Sequence, residues 1–216
     1  MSAASERAYQ LIREAIIDGR LDAGSKLNEE ELVKICSVSR TPVRDALKKL
    51  AYEGYIIIRK NQGAWVKSWS ELEVREVFEA RVAMEGFIIG LTTQKATPAA
   101  IESLNKLVED FEESVARDIG VDELVPLFLN NNQKFHELIY DVADNPRLSD
   151  IMRTVSPLPI VYQTAATYDV QRIKQSNLDH RRMVAAIAAK DKKWAQVVME
   201  GHIHAAAVAY NKIFKQ

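Results

Sequence analysis

Three histidines, His136, His180 and His202, fall in three separate helix-forming stretches, each among apolar residues at helical spacing. His136 recurs with Phe128, Asn132, Phe135 and Ile139, His180 with Met183, Val184 and Ile187, and His202 with Val198, Ala205, Ala206 and Ala209. A single imidazole in such a stripe is ordinarily a core residue with a hydrogen-bond partner. Three of them are costly to bury without a shared role. Imidazole is a common metal ligand, and helix-bundle cores are a recurring place for metal sites. Asn132 lies one turn before His136 on the same helix face, so both could reach one ion. These donors suit a borderline divalent ion, zinc or nickel, better than magnesium or calcium. Three imidazoles and an amide hold no protein anion, so an anionic ligand would supply the missing charge. The residues alone leave both readings open, a metal centre or three core histidines. His204, two positions past His202, falls on another face as a solvated residue.

A second set of residues points to a different chemistry. In CSVSRTPVRDALKKL, residues 36–50, Arg40, Arg44 and Lys48 recur every four positions, opposite an apolar face of Val43, Ala46, Leu47 and Leu50. Ser39 as N-cap and Pro42 in the first turn mark a helix start. Arg40 then stands where the helix dipole repels a cation. A nucleic-acid major groove resolves the conflict, because it supplies acceptors and negative potential at that end. Arginine can bond guanine O6 and N7, and lysine can neutralise phosphate. Residues 35–67 hold seven Lys and Arg against two acids, a net +5 in a chain of net −1. That concentration is a stronger partner signal than the total.

The elements that would carry these residues follow from periodicity and punctuation. A helix over ERAYQLIREAIIDG is followed by the turn-rich RLDAGSKL. Asn28 and Glu31 form a capping box for a second helix, which ends near Cys36. The helix at Arg40 comes third, and YIIIR and AWVKSW make a hairpin joined by KNQG, with Gly63 at the turn. Helix, helix, turn, helix and hairpin is the order of a winged helix-turn-helix. From there the pattern is helical, over about 71–95, 98–118, 121–143, 146–163, 168–189 and 192–214. Pro157 and Pro159 should kink or interrupt the fourth of these. The predicted fold is mainly α: a winged helix-turn-helix over 1–69, then an all-α six-helix bundle over 70–216.

Residues 6–67 resemble the GntR winged-helix domain of bacterial transcription regulators, through IIDGRLDAGSKLNEEEL, VSRTPVRDALKKLAYEGYI and NQGAWV. The resemblance implies DNA contacts by Arg40, Thr41 and Arg44, with the wing around Gly63 entering the adjacent minor groove. Lys48 fits a phosphate contact by its place on the stripe. Glu30 departs from the family, whose members often carry a basic residue there. Residues 73–216 resemble the FCD effector domain of the FadR-type subgroup, through FEARVAMEGFIIGL, NQKFHELIY and DHRRMVAAIAAKDKKWAQVVMEGHI. That resemblance implies metal ligands Asn132, His136, His180 and His202, with Asn132 where an Asp is usual. It also places Arg81 in the pocket as the partner of a ligand carboxylate. On the residues alone, Arg81 and Glu85 are an i,i+4 ion pair on a helix surface.

The expected function is thus a ligand-responsive DNA-binding regulator, a repressor, sensing a small organic acid with a bound divalent metal. The expected partners are a pseudo-palindromic DNA operator, a carboxylate effector and a second copy of the chain. The alternative is a metal-dependent enzyme on a helical bundle, with the winged head as a docking module. No acid near the three histidine motifs makes a convincing general base for it. With no apolar run of about 20 residues and no secretory pattern at the N-terminus, the expected compartment is the cytoplasm. The single cysteine, Cys36, allows no internal disulfide and is expected as a small buried hydrophobe.

Overall fold

The computed structural model describes residues 1–117 and 119–213; for Arg153 it describes the backbone alone. The chain divides into two compact units, Met1–Ser70 with Pro157–Tyr162, and Glu71–Ser156 with Gln163–Gln216.

The first unit holds α1 (Ala3–Ile17), β1 (Lys26–Leu27), α2 (Glu29–Cys36), α3 (Arg40–Tyr52), β2 (Ile56–Arg59) and β3 (Gly63–Val66). Ala8, Ile12, Leu32, Val43, Leu47, Leu50, Tyr55 and Ile56 form one buried core, with Cys36 inside it. The apolar stripe of α3 is therefore wholly consumed by packing, and this aims the opposite, cationic stripe outward. Asn28 caps α2 by accepting from the Glu30 amide at 2.9 Å. Ser39 has the extended N-cap backbone before α3 but makes no side-chain cap bond. The wing differs from expectation by one strand. Lys26 pairs with Trp65 and Leu27 with Ala64, giving a three-stranded antiparallel sheet in the order β1-β3-β2. Two residues are too short to show the alternation that reveals a strand. At the hairpin, Asn61 and Gly63 both adopt positive φ, 60° and 92°, and so turn the chain between β2 and β3.

The second unit holds α4 (Glu71–Lys95), α5 (Pro98–Val115), α6 (Val121–Ala143), α7 (Pro146–Val155), α9 (Val170–Ala188), α10 (Lys192–Tyr210) and the latter half of α8 (Leu158–Ala166). The expected helix over 146–163 is divided into α7 and α8 at Pro157, as its two prolines predict. Pro159 sits in the first turn of α8, where a missing N–H is tolerated. The expected helix ends at 118 and 214 lie outside the described residues.

Helix α4 runs through the middle of this unit, packed on α6, α9 and α10. Its contact with α10 is close because α4 presents glycine there. A Cβ on Gly90 would come within 2.9 Å of the Lys192 side chain, and one on Gly86 within 3.2 Å of Glu200. Polar ties fix the neighbours. The Thr92 hydroxyl donates to the Ile139 carbonyl at 2.7 Å, joining α4 to α6, and the Asn177 amide donates to the Val108 carbonyl at 3.2 Å, joining α9 to α5. These contacts hold α4, α6, α9 and α10 in register around the three histidines.

Candidate functional site

Two sites emerge, one on each unit. On the first, α3 carries Arg40, Arg44 and Lys48 on its exposed face, with side chains between 60% and 73% accessible. Each already has an acidic partner. Arg40 Nη2 bonds Glu30 Oε1 at 2.8 Å, Arg44 Nε bonds Glu29 Oε2 at 2.9 Å, and Lys48 Nζ bonds Asp45 Oδ1 at 3.3 Å. Spacing shows no sign of the first two pairs, because Glu29 and Glu30 lie on α2 and meet α3 only through the turn between them. The repulsion expected at the start of α3 is thereby relieved within the free protein. Thr41 is exposed beside Arg40, and Gly63 is exposed at the tip of the wing.

On the second unit, His136 of α6, His180 of α9 and His202 of α10 are all buried, and their candidate ligand nitrogens lie within 4.8 Å of one another. The ring centroids are 5.6 Å apart for His136 and His180, 5.6 Å for His136 and His202, and 4.9 Å for His180 and His202. The ring of His180 stacks on Phe135 at 4.1 Å, which sets its plane. His204 is exposed, as expected. Asn132 is half-buried one turn before His136 on α6.

Behind two of these imidazoles stand carboxylates. Glu85 Oε2 lies 2.7 Å from His136 Nδ1, and Glu85 Oε1 accepts from Arg81 Nε at 2.8 Å. Asp179 Oδ2 lies 3.6 Å from His202 Nδ1. Glu85 and the His136 ring are thus in close electrostatic contact. The expectation that the centre has no protein anion nearby is corrected here. Glu85 is wholly buried, and Arg81 is buried with it, so their pair is interior and not on the helix surface. Tyr140 and Tyr168 feel the Arg81 charge from the same interior.

The electrostatics follow from this packing. Burial opposes ionisation of Glu85, but Arg81 and His136 overcome it and hold the carboxyl well below the usual carboxylate range. Asp179 is likewise held down, against burial, by His202, Gln175 and Arg172. Burial lowers His180 well below its ordinary value, helped by its neighbours His202, His136 and Arg172. Burial also lowers His202, with Asp179 opposing. His180 and His202 are therefore neutral at pH 7, the form that ligates metal.

The residues fit a metal. Buried nitrogens of all three rings, including His136 Nε2 and His180 Nε2, have no hydrogen-bond partner. Two such nitrogens, His136 Nε2 and His180 Nε2, within a cluster of three buried imidazoles are difficult to explain as core packing alone. The unpaired His202 nitrogen is Nδ1, which faces Asp179. A carboxylate behind a ligating histidine is the usual means of fixing its ring and raising its basicity. Glu85 and Asp179 have the positions for that role. Sequence reasoning missed Asp179 in particular: it neighbours His180 in the chain yet serves His202, from another helix.

Among the described residues no helix is long and apolar enough to cross a membrane. Residues 76–205 match the family profile of the FCD domain, and residues 4–66 match that of the bacterial regulatory proteins of the gntR family. The HTH-type transcriptional regulator YdhC of Bacillus subtilis is 26% identical over 197 residues, covering 91% of this chain and 86% of the relative. The repressor GlaR of Escherichia coli is 23% identical over 210 residues, 94% of each chain. The solved structure of E. coli McbR/YncC shares the fold, with a TM-score of 0.74 at 20% identity over 99% of this chain and 100% of that one. With a winged head, a helical unit behind it and both profiles matched in that order, this chain belongs to the GntR family of bacterial transcription regulators, in the FadR-type branch that carries an FCD domain.

Proposed function

We propose that the protein is a ligand-responsive repressor whose helical domain, residues 70–216, senses a small organic acid through a bound divalent metal. The observation that carries this reading is the convergence of three buried imidazoles, with Glu85 and Asp179 behind His136 and His202. His136, His180 and His202 would hold the ion, with Asn132 as a fourth, neutral donor. Zinc or nickel suits this donor set. When bound, the ion supplies a positive centre for a carboxylate. Arg81 keeps Glu85 ionised behind His136 and adds positive charge to the same interior.

The head, residues 1–69, would present α3 to the major groove through Arg40, Thr41 and Arg44, with Lys48 on phosphate and the wing at Gly63 in the minor groove. Two heads related by a two-fold axis would read a pseudo-palindromic operator in the cytoplasm. Ligand binding in the bundle then changes operator affinity by favouring one arrangement of the heads. That relatives such as GlaR are repressors supports the sign of the effect. Relatives named as transcriptional regulators and repressors support this reading over the enzyme alternative.

The test has two arms. Metal-stripped protein is titrated with zinc and with nickel, and the loaded protein is then assayed for retardation of the DNA flanking its own gene. Small carboxylates are added in a second series. Stoichiometric metal uptake, with carboxylate-dependent release of DNA, is the expected result. No uptake of either ion would mean the histidines are core residues, and DNA binding insensitive to every acid would remove the sensing role.

A further inference from the structure

Within the sensing reading above, Arg81, which the family resemblance marks as the ligand's partner, is already engaged by an acid. Arg81 donates through Nε to Glu85 at 2.8 Å, deep in the bundle. A second arginine near the histidines is in a different condition. Arg172, in the first turn of α9, is only 19% exposed at its side chain. Its guanidinium carbon lies 5.2 Å from the ring centre of Tyr168. Its Nε and Nη2 are buried and have no hydrogen-bond partner. Buried charged donors left open in this way are unusual, and each needs an explanation.

Among the described residues no acid satisfies them. The acid nearest to Arg172 is Asp179, reached from Nη1 at 3.9 Å, a long contact on the other side of the fork. Asp179 is also shared. It accepts from Gln175 at 3.1 Å, faces Arg182 Nη1 at 3.4 Å, and lies 3.6 Å from His202. One carboxylate is therefore shared between two arginines, and the other acid at this helix start, Asp169, is taken up by the Arg172 backbone amide at 2.6 Å. The two open donors of Arg172, Nε and Nη2, form the side edge of the guanidinium. That edge offers two parallel N–H groups spaced for the two oxygens of a carboxylate.

Arg172 also borders a cleft. Arg172, Asp179, Arg182 and His202 form the polar side of a cleft of about 370 Å³ between α9 and α10, with Val197 and Val198 on its apolar side. The volume suits an acid of a few carbons. His202 is common to this cleft and to the three-histidine centre. A molecule seated here can meet Arg172 at one end and face the centre at the other.

We infer that Arg172 is the carboxylate clamp of the sensor, and that its ligand is a short acid with a second oxygen function directed at the histidine centre. Arg81 is then a positioning residue, acting through Glu85. Arg182, more than half exposed, steers the anion toward the cleft and does not hold it.

The experiment titrates the full-length zinc-loaded protein calorimetrically with lactate, malonate and citrate, and with propionate as a one-ended control. Wild type should bind at least one of the first three more tightly than propionate. Arg172→Gln should weaken that binding at least tenfold, with zinc affinity within about threefold of wild type. Arg172→Lys should restore little of it, since lysine keeps the charge but lacks the fork. Arg182→Gln should stay within a few-fold of wild type. Zinc affinity reports whether the loss of Arg172 has disturbed Asp179 and His202, so a folding or ligand-geometry defect is read separately. Binding by Arg172→Gln equal to wild type, or no acid bound by the zinc-loaded wild type at millimolar concentration, overturns the assignment. If wild type takes up no zinc, the metal reading falls by itself, and Arg172 is judged by the same comparison on metal-free protein.

Discussion

Glu30 of α2 accepts a hydrogen bond from Arg40 of α3 at 2.8 Å, and both side chains are largely exposed. The pair joins an acid of α2 to the residue expected to read DNA. An exposed pair of this kind is worth at most about 1 kcal/mol, so it does not hold the fold together. It does neutralise a cation that DNA would otherwise meet. In the proposed DNA contact Arg40 would leave Glu30, and the freed Glu30 carboxylate would stand near the phosphate backbone.

Glu30→Gln is therefore expected to tighten binding to cognate and unrelated duplexes alike, by about fivefold, on the order of 1 kcal/mol. The dependence on salt should become steeper as one repulsive charge is removed. Fluorescence anisotropy between about 50 and 200 mM salt measures both. Affinity unchanged at every salt concentration would place Glu30 away from the DNA.

Arg44→Ala should weaken specific binding by about 1–3 kcal/mol and relax the preference at one base position. Lys48→Ala should weaken binding to all sequences and reduce the salt slope by about one. The two variants should thus separate in a comparison of operator with scrambled DNA. Equal losses on both sequences for Arg44→Ala would make it a backbone contact.

Glu85→Gln removes the anion that Arg81 and His136 share. Breaking a buried ion pair from one side commonly costs about 3–5 kcal/mol, because the partner charge stays buried. Thermal unfolding should show that loss, and metal affinity should fall about 10–100-fold as His136 loses its support. The double variant Glu85→Gln/Arg81→Met should recover much of the stability and none of the metal affinity. Recovery of both would mean that Glu85 does nothing for His136 beyond balancing Arg81.

Asn132→Asp adds a carboxylate to the donor set one turn before His136. Competition with a chelator should report tighter zinc binding, and His180→Ala should show near-complete loss. Because Glu85 and Asp179 already stand behind two ligands, the gain from Asn132→Asp should be smaller than a centre free of anions would show. An Asn132→Asp affinity equal to that of wild type would exclude residue 132 from the ligand set.

Much of this protein was legible in its sequence because the signals are local. Periodicity placed the helices, Pro157 divided one of them, and the cationic stripe of α3 followed from a spacing of four against an apolar face. The three histidines were found because each stands in an apolar stripe on its own helix. What spacing along one helix cannot show is which side chains meet across helices. Glu29 and Glu30 face α3 only because the turn at Ser37 to Ser39 brings α2 against it. Asp179 follows its helix past His180 and arrives at His202 because α10 packs on that side of α9. Nothing in the sequence near Arg172, a largely polar stretch, distinguishes it from a surface cation. Spacing already paired Arg81 with Glu85, but only packing buried that pair and left the carboxylate-shaped edge of Arg172 without an acceptor.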